Sequence, residues 1–246
     1  NRIIVRSGVA FMNACIEDGT VRKGFSALIE ESGNQQNLDA TSLAFRLAPR
    51  INAAGRMGSA ERALKLILTE DMDEARDIAK EVSDANAQRQ SIEAEITEEA
   101  IEIIEKNPDI KYNRVIVVAG KDWHQGVIGI VASRLTEKYG KPCIVISEND
   151  GIGKGSGRSI DGFSLYDALS YCSEMLVQYG GHVLAAGLTI DIDKISEFTQ
   201  KVNEYAKTME QPIATLNIDC KLNPASINTE ILSAIKILEP FGAENP

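Results

Sequence analysis

The hydrophobic pattern divides the chain into an irregular opening, one long helical stretch, and an alternation of strands and helices. Apolar and small residues alternate up to about residue 32, and the run Ile3-Ile4-Val5 is expected to form a first strand. A polar loop follows at residues 32–37. Residues 41–47 are predicted helical with Pro49 as the interruption, because proline removes a backbone donor and crowds the preceding turn. Ser59 is placed to cap a helix carrying Ala63, Leu64, Ile67 and Leu68. From about Met72 to Lys106, Ile78, Val82, Ala85, Ile92, Ile96 and Ile103 recur near a three-four spacing, broken by Arg89. Glu93, Glu95, Glu98, Glu99 and Glu102 take the remaining positions. One narrow stripe on so long a helix suits a strut joining two lobes; it is too short and alanine-rich for a coiled coil.

After Asn107-Pro108-Asp109 the period changes. Residues 115–119 and 143–146 read as buried strands, with a helix from about Val127 to Tyr139 between them. Gly140 caps that helix and Pro142 stops it, so the segment is a βαβ unit. Asn149-Asp150-Gly151 predicts a hairpin into a third strand ending at Arg158. Ser164 with Asp167 resembles a capping box opening one or two helices as far as Gln178. A Gly180-Gly181-His182 turn, a strand at residues 188–190 and a helix from Lys194 to about Met209 follow. Ile213 to Leu222 reads as a β-like segment and Thr229 to Ile237 as a short helix.

Composition adds limits. The 246 residues are 43% hydrophobic and 25% charged, which is ordinary for a globular protein. No apolar run has membrane-spanning length and no signal peptide opens the chain, so no membrane partner is expected. Cys15, Cys143, Cys172 and Cys220 form no C-x-x-C pair and read as reduced thiols of a cytoplasmic protein. The start at Asn1 and the closing Phe241-Gly242-Ala243-Glu244-Asn245-Pro246 suggest a piece of a longer protein. A net charge of −10 argues against a general nucleic-acid coat. The charge is polarised, however: residues 41–67 hold Arg46, Arg50, Arg56, Arg62 and Lys65 against Glu61 alone.

Three loops offer chemistry. Trp123-His124-Gln125-Gly126 lies at a helix start, where free N–H groups and the helix dipole favour anions. An ordinary helix cap with an exposed His124 is an equal reading of those residues, and Trp123 is expected to plug the interior. Ser156-Gly157-Arg158-Ser159 supplies a guanidinium fork and two hydroxyls suited to phosphate oxygens. Gly180-Gly181-His182, followed by small residues to Gly187, allows close approach of a ligand. Asn52-Ala53-Ala54-Gly55-Arg56 has a similar makeup. No His, Cys, Asp or Glu cluster has metal-ligand spacing, and no Walker loop or G-x-S-x-G elbow appears.

Together these segments, in this order, resemble a DHHA1 domain. The run Trp123 to Leu135, the Gly155 to Ser159 loop, and Gly180 to Gly187 carry the likeness. Pro49 to Gly58 and Asn86 to Gln90 are similar to the segments joining that domain to a DHH domain in RecJ-type single-strand-specific exonucleases. Pro240 to Pro246 resembles an early part of that family's OB-like domain. The resemblance implies an α/β fold: a DHHA1-type domain with a mixed central sheet flanked by helices. A long helix would join it to a helical remnant of the DHH domain, with a partial OB-like β segment at the end. The implied boundaries are 1–70, 71–108, 109–210 and 211–246. The family degrades single-stranded DNA from the 5′ end with two Mn2+ or Mg2+ ions, held by aspartates and a DHH motif absent from this sequence. Carried over, Arg158, Ser156 and Ser159 would bind the 5′-terminal phosphate, with His182, Gly180 and Gly181 beside them. Asn52 and Arg56 would contact the strand, and His124 would belong to the same surface. The resemblance further implies a monomeric, cytoplasmic protein of DNA repair and recombination, working with single-strand-binding protein and a helicase. Two alternatives stand beside it. One is a related phosphodiesterase acting on oligonucleotides, cyclic dinucleotides or 3′-phosphoadenosine phosphate. The other is a non-catalytic single-strand-binding module. A structural or dimerisation domain is a cruder reading.

Overall fold

The structure, a computed structural model, describes residues 2–33, 37–210, 212, 216, 218–242 and 245. Its compact units are residues 1–88 with 216–246, and residues 89–215.

The first unit is helical. Residues 2–17 form helix α1 (Arg2–Glu17) rather than the expected first strand. Val9, Met12, Asn13, Cys15 and Ile16 are its part-buried positions, and the three-four spacing of 9, 12, 13 and 16 fits a helix face. The Asn13 amide also bonds the backbone N–H and C=O of Leu38, each at 2.8 Å. Helix α2 (Lys23–Glu31) packs so closely that a Cβ at Gly24 would fall 1.6 Å from the Leu66 carbonyl oxygen.

Pro49 does not interrupt the next helix. Between α3 (Ala40–Ser42) and α4 (Ala48–Met57) the chain makes a π-helical turn over Leu43–Leu47. The Ala48 N–H reaches five residues back to the Leu43 carbonyl. Pro49 then sits in the first turn of α4, where a missing donor costs little. Ser59 accepts from the Glu61 N–H at the start of α5 (Glu61–Leu68). That helix buries Ala63 and Leu66, leaving Leu64 and Leu68 exposed, contrary to the expected face. Helix α6 (Met72–Lys106) has the predicted limits. Its first half adds Ala75, Ile78, Ala79 and Val82 to the core of this unit.

Of the β-like segment expected at 213–222, Ile213, Ala214, Thr215 and Asn217 lie outside the described residues. The described remainder forms no strand, and Leu216 and Ile218 stand exposed. Asn34, Gln35 and Gln36 of the polar loop, and Ala243, Glu244 and Pro246 of the closing segment, are likewise outside the description. The expected short helix is present at Thr229–Lys236.

The second unit is a sheet between helices. After α7 (Pro108–Tyr112) come β1 (Ile116–Lys121), α8 (Gln125–Tyr139) and β2 (Cys143–Asn149), with β1 and β2 parallel as expected. Gly140 ends α8 at φ 61°, in the left-handed region. Asp150 and Gly151, both at positive φ, turn the chain into β3 (Ile152–Arg158). Ser164 accepts from the Asp167 N–H and opens α9 (Leu165–Tyr171).

The helical stretch stops there and at a short turn over Ser173–Met175, before Gln178. Gly180-Gly181-His182 is accordingly not a turn. It ends strand β4 (Leu176–His182), whose hairpin tip is Val183-Leu184, and β5 (Ala185–Asp191) returns beside it. Helix α10 (Ile195–Thr208) closes the unit. The sheet order is β1-β2-β3-β5-β4, antiparallel except for the first pair. Ile144, Ile146, Leu188 and Ile190 face α9 and α10, where Leu165, Leu169, Phe198 and Val202 complete a core. The opposite face carries α8. All four cysteines are free thiols.

The second half of α6 belongs to this unit, and Glu93 corrects the expected stripe. It is 2% exposed, at a core position rather than a solvated one. Arg89, one turn earlier, pairs with it at 2.5 Å, and Arg134 of α8 pairs with its other oxygen. Glu99 accepts from the Trp123 indole N–H at 2.8 Å, and Glu105 from the Tyr139 hydroxyl at 3.0 Å. Trp123 is thus an interior plug, 5% exposed.

Candidate nucleic-acid interface

Alternate residues of a strand share a face, so β3 presents Lys154, Ser156 and Arg158 together. The register carries each position across the sheet. Arg158 is opposite Ala185, which is opposite His182; Ser156 is opposite Gly187, which is opposite Gly180. Lys154 is opposite Thr189, which is opposite Gln178. Three rows therefore cross one face of the sheet: a charged row, a nearly bare row and a polar row.

Helix α8 overhangs this face. A Cβ at Gly129 would lie 3.0 Å from Ser156 Oγ and 3.2 Å from Arg158 Nη2, so the helix passes directly above both side chains. Beside its first turn lies an open groove of about 420 Å3, lined by Gln125, Ser156, Gly180 and Gly187 among others. The floor is bare for a reason other than backbone geometry. A Cβ at Gly180 would meet nothing within 4 Å, and one at Gly187 only the Gly155 carbonyl at 3.7 Å. Gly181 differs: its φ is +145° and a Cβ would strike the Ala185 carbonyl oxygen at 2.4 Å. Gly181 serves the fold, whereas Gly180 and Gly187 keep a surface clear.

Arg158 Nη1 donates to the Gly157 carbonyl at 2.8 Å and to Ser156 Oγ at 3.3 Å. These bonds draw the guanidinium back over its own strand, next to the serine hydroxyl. Thr136 of α8 donates to the Arg158 carbonyl at 3.3 Å. The Ser159 hydroxyl donates to the Phe163 carbonyl at 2.8 Å, and its N–H donates to the Leu184 carbonyl at 2.9 Å. The Leu165 N–H holds the Val183 carbonyl at the same distance. Ser159 thus anchors the β4–β5 hairpin tip beside Arg158. His182 is exposed, and its Nδ1 accepts from the Leu184 N–H at 3.4 Å.

His124 is the N-cap of α8: its Nδ1 accepts from the Gly126 N–H at 3.1 Å. Asn52 and Arg56 belong to the first unit. They lie four apart on α4, both exposed, and so share one helix face. The structure thus brings Ser156, Arg158, His182 and Gly180 to one face at one end of the sheet, with Ser159 buttressing them; Gly181, between Gly180 and His182 on β4, belongs to the opposite face.

Lys154, Gln178 and Thr189 escape the sequence reading, as does the role of Gly129, whereas Gln125 and Gly187 lie inside the segments it singled out for anion binding and close approach. The available signal is two-residue spacing: Lys154 precedes Ser156 by two, and Thr189 follows Gly187 by two. Elsewhere in this unit a larger hollow of about 960 Å3 borders α7 and α10. Its lining includes Asp109 and Glu204, which disfavour a phosphate. Among the described residues no three His, Cys, Asp or Glu side chains gather so as to hold a metal ion. No described helix is long and apolar enough to cross a membrane.

Residues 112–208 match the DHHA1 domain family. The whole chain is 37% identical over 252 residues to the single-stranded-DNA-specific exonuclease RecJ of Bacillus subtilis, covering 31% of that protein. It is 34% identical over 260 residues to RecJ of Escherichia coli, again along the whole chain and over 44% of the relative. Crystal structures of RecJ from Thermus thermophilus in complex with Mg2+ and with Mn2+ each superpose with a TM-score of 0.82. Sequence identities are 34% and 33%; each match covers 95% of this chain, and 36% and 34% of those chains. The chain therefore spans less than half the length of these relatives.

Proposed function

We propose, for a chain that carries a DHHA1 domain and is similar to RecJ from end to end, that it is the substrate-holding part of a single-stranded-DNA-specific 5′-to-3′ exonuclease acting in DNA repair and recombination. The observation that carries this reading is the shared face of Ser156, Arg158 and His182 over a glycine floor. The Arg158 fork and the Ser156 hydroxyl bind the 5′-terminal phosphate, with His182 and the Gly180-Gly181 backbone beside it. Ser159 fixes the loop, and His124 orders the helix start at the groove's rim. Asn52 and Arg56 on α4 contact the strand elsewhere along its length. By this reading, residues 1–70 end a DHH domain, 71–108 are the connecting helix, 109–210 the DHHA1 domain, and 211–246 the start of an OB-like domain.

Among the described residues no donor set fits a metal centre. We assign Mn2+ or Mg2+ to a DHH domain outside it, where the ions supply phosphodiester hydrolysis. This chain's residues position the strand, and positioning alone removes a large part of a barrier. Single-stranded DNA with a 5′ end is the ligand, single-strand-binding protein and a helicase are the protein partners, and the cytoplasm is the setting. The test is affinity for 5′-phosphorylated against 5′-hydroxyl oligonucleotides. The wild-type chain should prefer the phosphate, and Arg158→Ala should remove that preference. Equal losses on both ligands would reject the phosphate role.

A further inference from the structure

The row of Lys154, Thr189 and Gln178 has no part in holding a strand end, yet it lines the same groove as Ser156 and the two clearing glycines. Gln125, from the first turn of α8, joins it from above. No hydrogen bond or ion pair engages any of these four side chains among the described residues. Lys154 is the cation among them, and Lys154, Gln178 and Gln125 are exposed. A lysine ammonium with hydroxyl and amide donors around it, facing an open channel, suits an anionic oxygen better than an apolar group.

The spacing gives this row a place on the ligand. Rows lie two residues apart along β3, or about 6.6 Å at strand rise, so Lys154 stands about 13 Å from Arg158. An unstacked, extended nucleotide spans roughly twice the 3.4 Å of a stacked one. With a terminal phosphate at the Arg158 row, the second phosphate crosses the glycine row, and the third reaches Lys154. We infer that Lys154, with Thr189, Gln178 and Gln125, forms a second phosphate subsite, engaging an internal phosphodiester of single-stranded DNA two nucleotides from the end.

This subsite rests on the end-holding reading and goes beyond it, because it makes affinity depend on length. The experiment uses the full chain and 5′-phosphorylated oligothymidylates of two and six nucleotides, titrated across a range of salt. Lys154→Gln, on an exposed strand position, should weaken the six-mer by about tenfold and leave the two-mer unchanged. The slope of log affinity against log salt for the six-mer should fall by roughly 0.7, one phosphate's worth for a single strand. An equal loss on both lengths, no loss on either, or a loss without a change of slope would overturn the subsite. Arg158→Ala should weaken both lengths. If it does so while Lys154→Gln has no effect, only the second subsite falls. If Arg158→Ala changes neither, the end-holding reading fails, and with it the subsite; a wild-type chain that binds neither oligonucleotide rejects both.

Discussion

Glycines at neighbouring positions of β4 and β5 do different work, and substitution separates them. Gly181 occupies a backbone conformation that L-residues rarely adopt, with a carbonyl where a Cβ would go. Gly181→Ala should cost about 1–3 kcal/mol of stability, read by urea unfolding. Gly187 has open space above it. Gly187→Val should leave Tm unchanged or raise it, since valine suits a strand, while weakening single-strand binding at least about tenfold. A destabilised Gly187→Val, or one that binds normally, would contradict the cleared-floor account. Thiol chemistry offers an independent check at this scale. Burial pushes the Cys143 thiol up to about 12 and the Cys172 thiol up to about 11, so both stay protonated near neutral pH. In the native chain an aromatic disulfide reagent at pH 8 should leave both intact while reacting with exposed Cys220.

Among the elements, the seam between α6 and α8 shows how far local pattern reaches. The limits of α6 are legible because thirty-five residues repeat one period. Glu93 is not, because a glutamate reads as solvated unless its partners are known. One partner, Arg89, is a turn away, but Arg134 is 41 residues on and arrives only when α8 packs. Likewise β4 is hidden: its first half, Leu176 to Gln178, reads as the end of a helix, and Gly180-Gly181-His182, which holds no strand former, becomes strand by pairing with β5. Arg158, Ser156 and His182 were visible as chemistry in short motifs, whereas the Lys154 row depends on which face each strand turns toward the groove. The β-branched run at residues 3–5 misleads for the opposite reason: the burial spacing from Val9 to Ile16 decides in favour of helix. Removing Glu93 leaves two arginines without their shared carboxylate. Glu93→Ala should therefore cost about 3 kcal/mol in urea unfolding, whereas Glu102→Ala, from an exposed pair, should be nearly silent. Glu105 supplies a pH signature. Lys111 first, and the Tyr139 hydroxyl second, hold its carboxyl below the ordinary value of 4.5. A depressed folded value means its contribution is present above 4.5 and is lost as pH falls through the folded value. Glu105→Gln should flatten the acid limb of the stability profile; an unchanged limb would remove Glu105 from it.

For the whole molecule, net charge and local charge point in different directions. At −10 the chain repels nucleic acid in general, so affinity must come from a few placed donors and fall with salt in proportion to the phosphates they engage. The same economy separates holding from cutting: purified chain with Mn2+ should leave single-stranded DNA intact, and measurable cleavage would overturn the assignment of the metals to another domain. The most direct measurement is hydrogen exchange on the full chain with and without a 5′-phosphorylated single strand. The account predicts new protection at the β3 end near Ser156 to Arg158 and along the β4–β5 hairpin tip, with little change there when the oligonucleotide carries a 5′ hydroxyl, and protection of the first turn of α8 with either end. Protection confined to other surfaces, or identical for both ends, would contradict it.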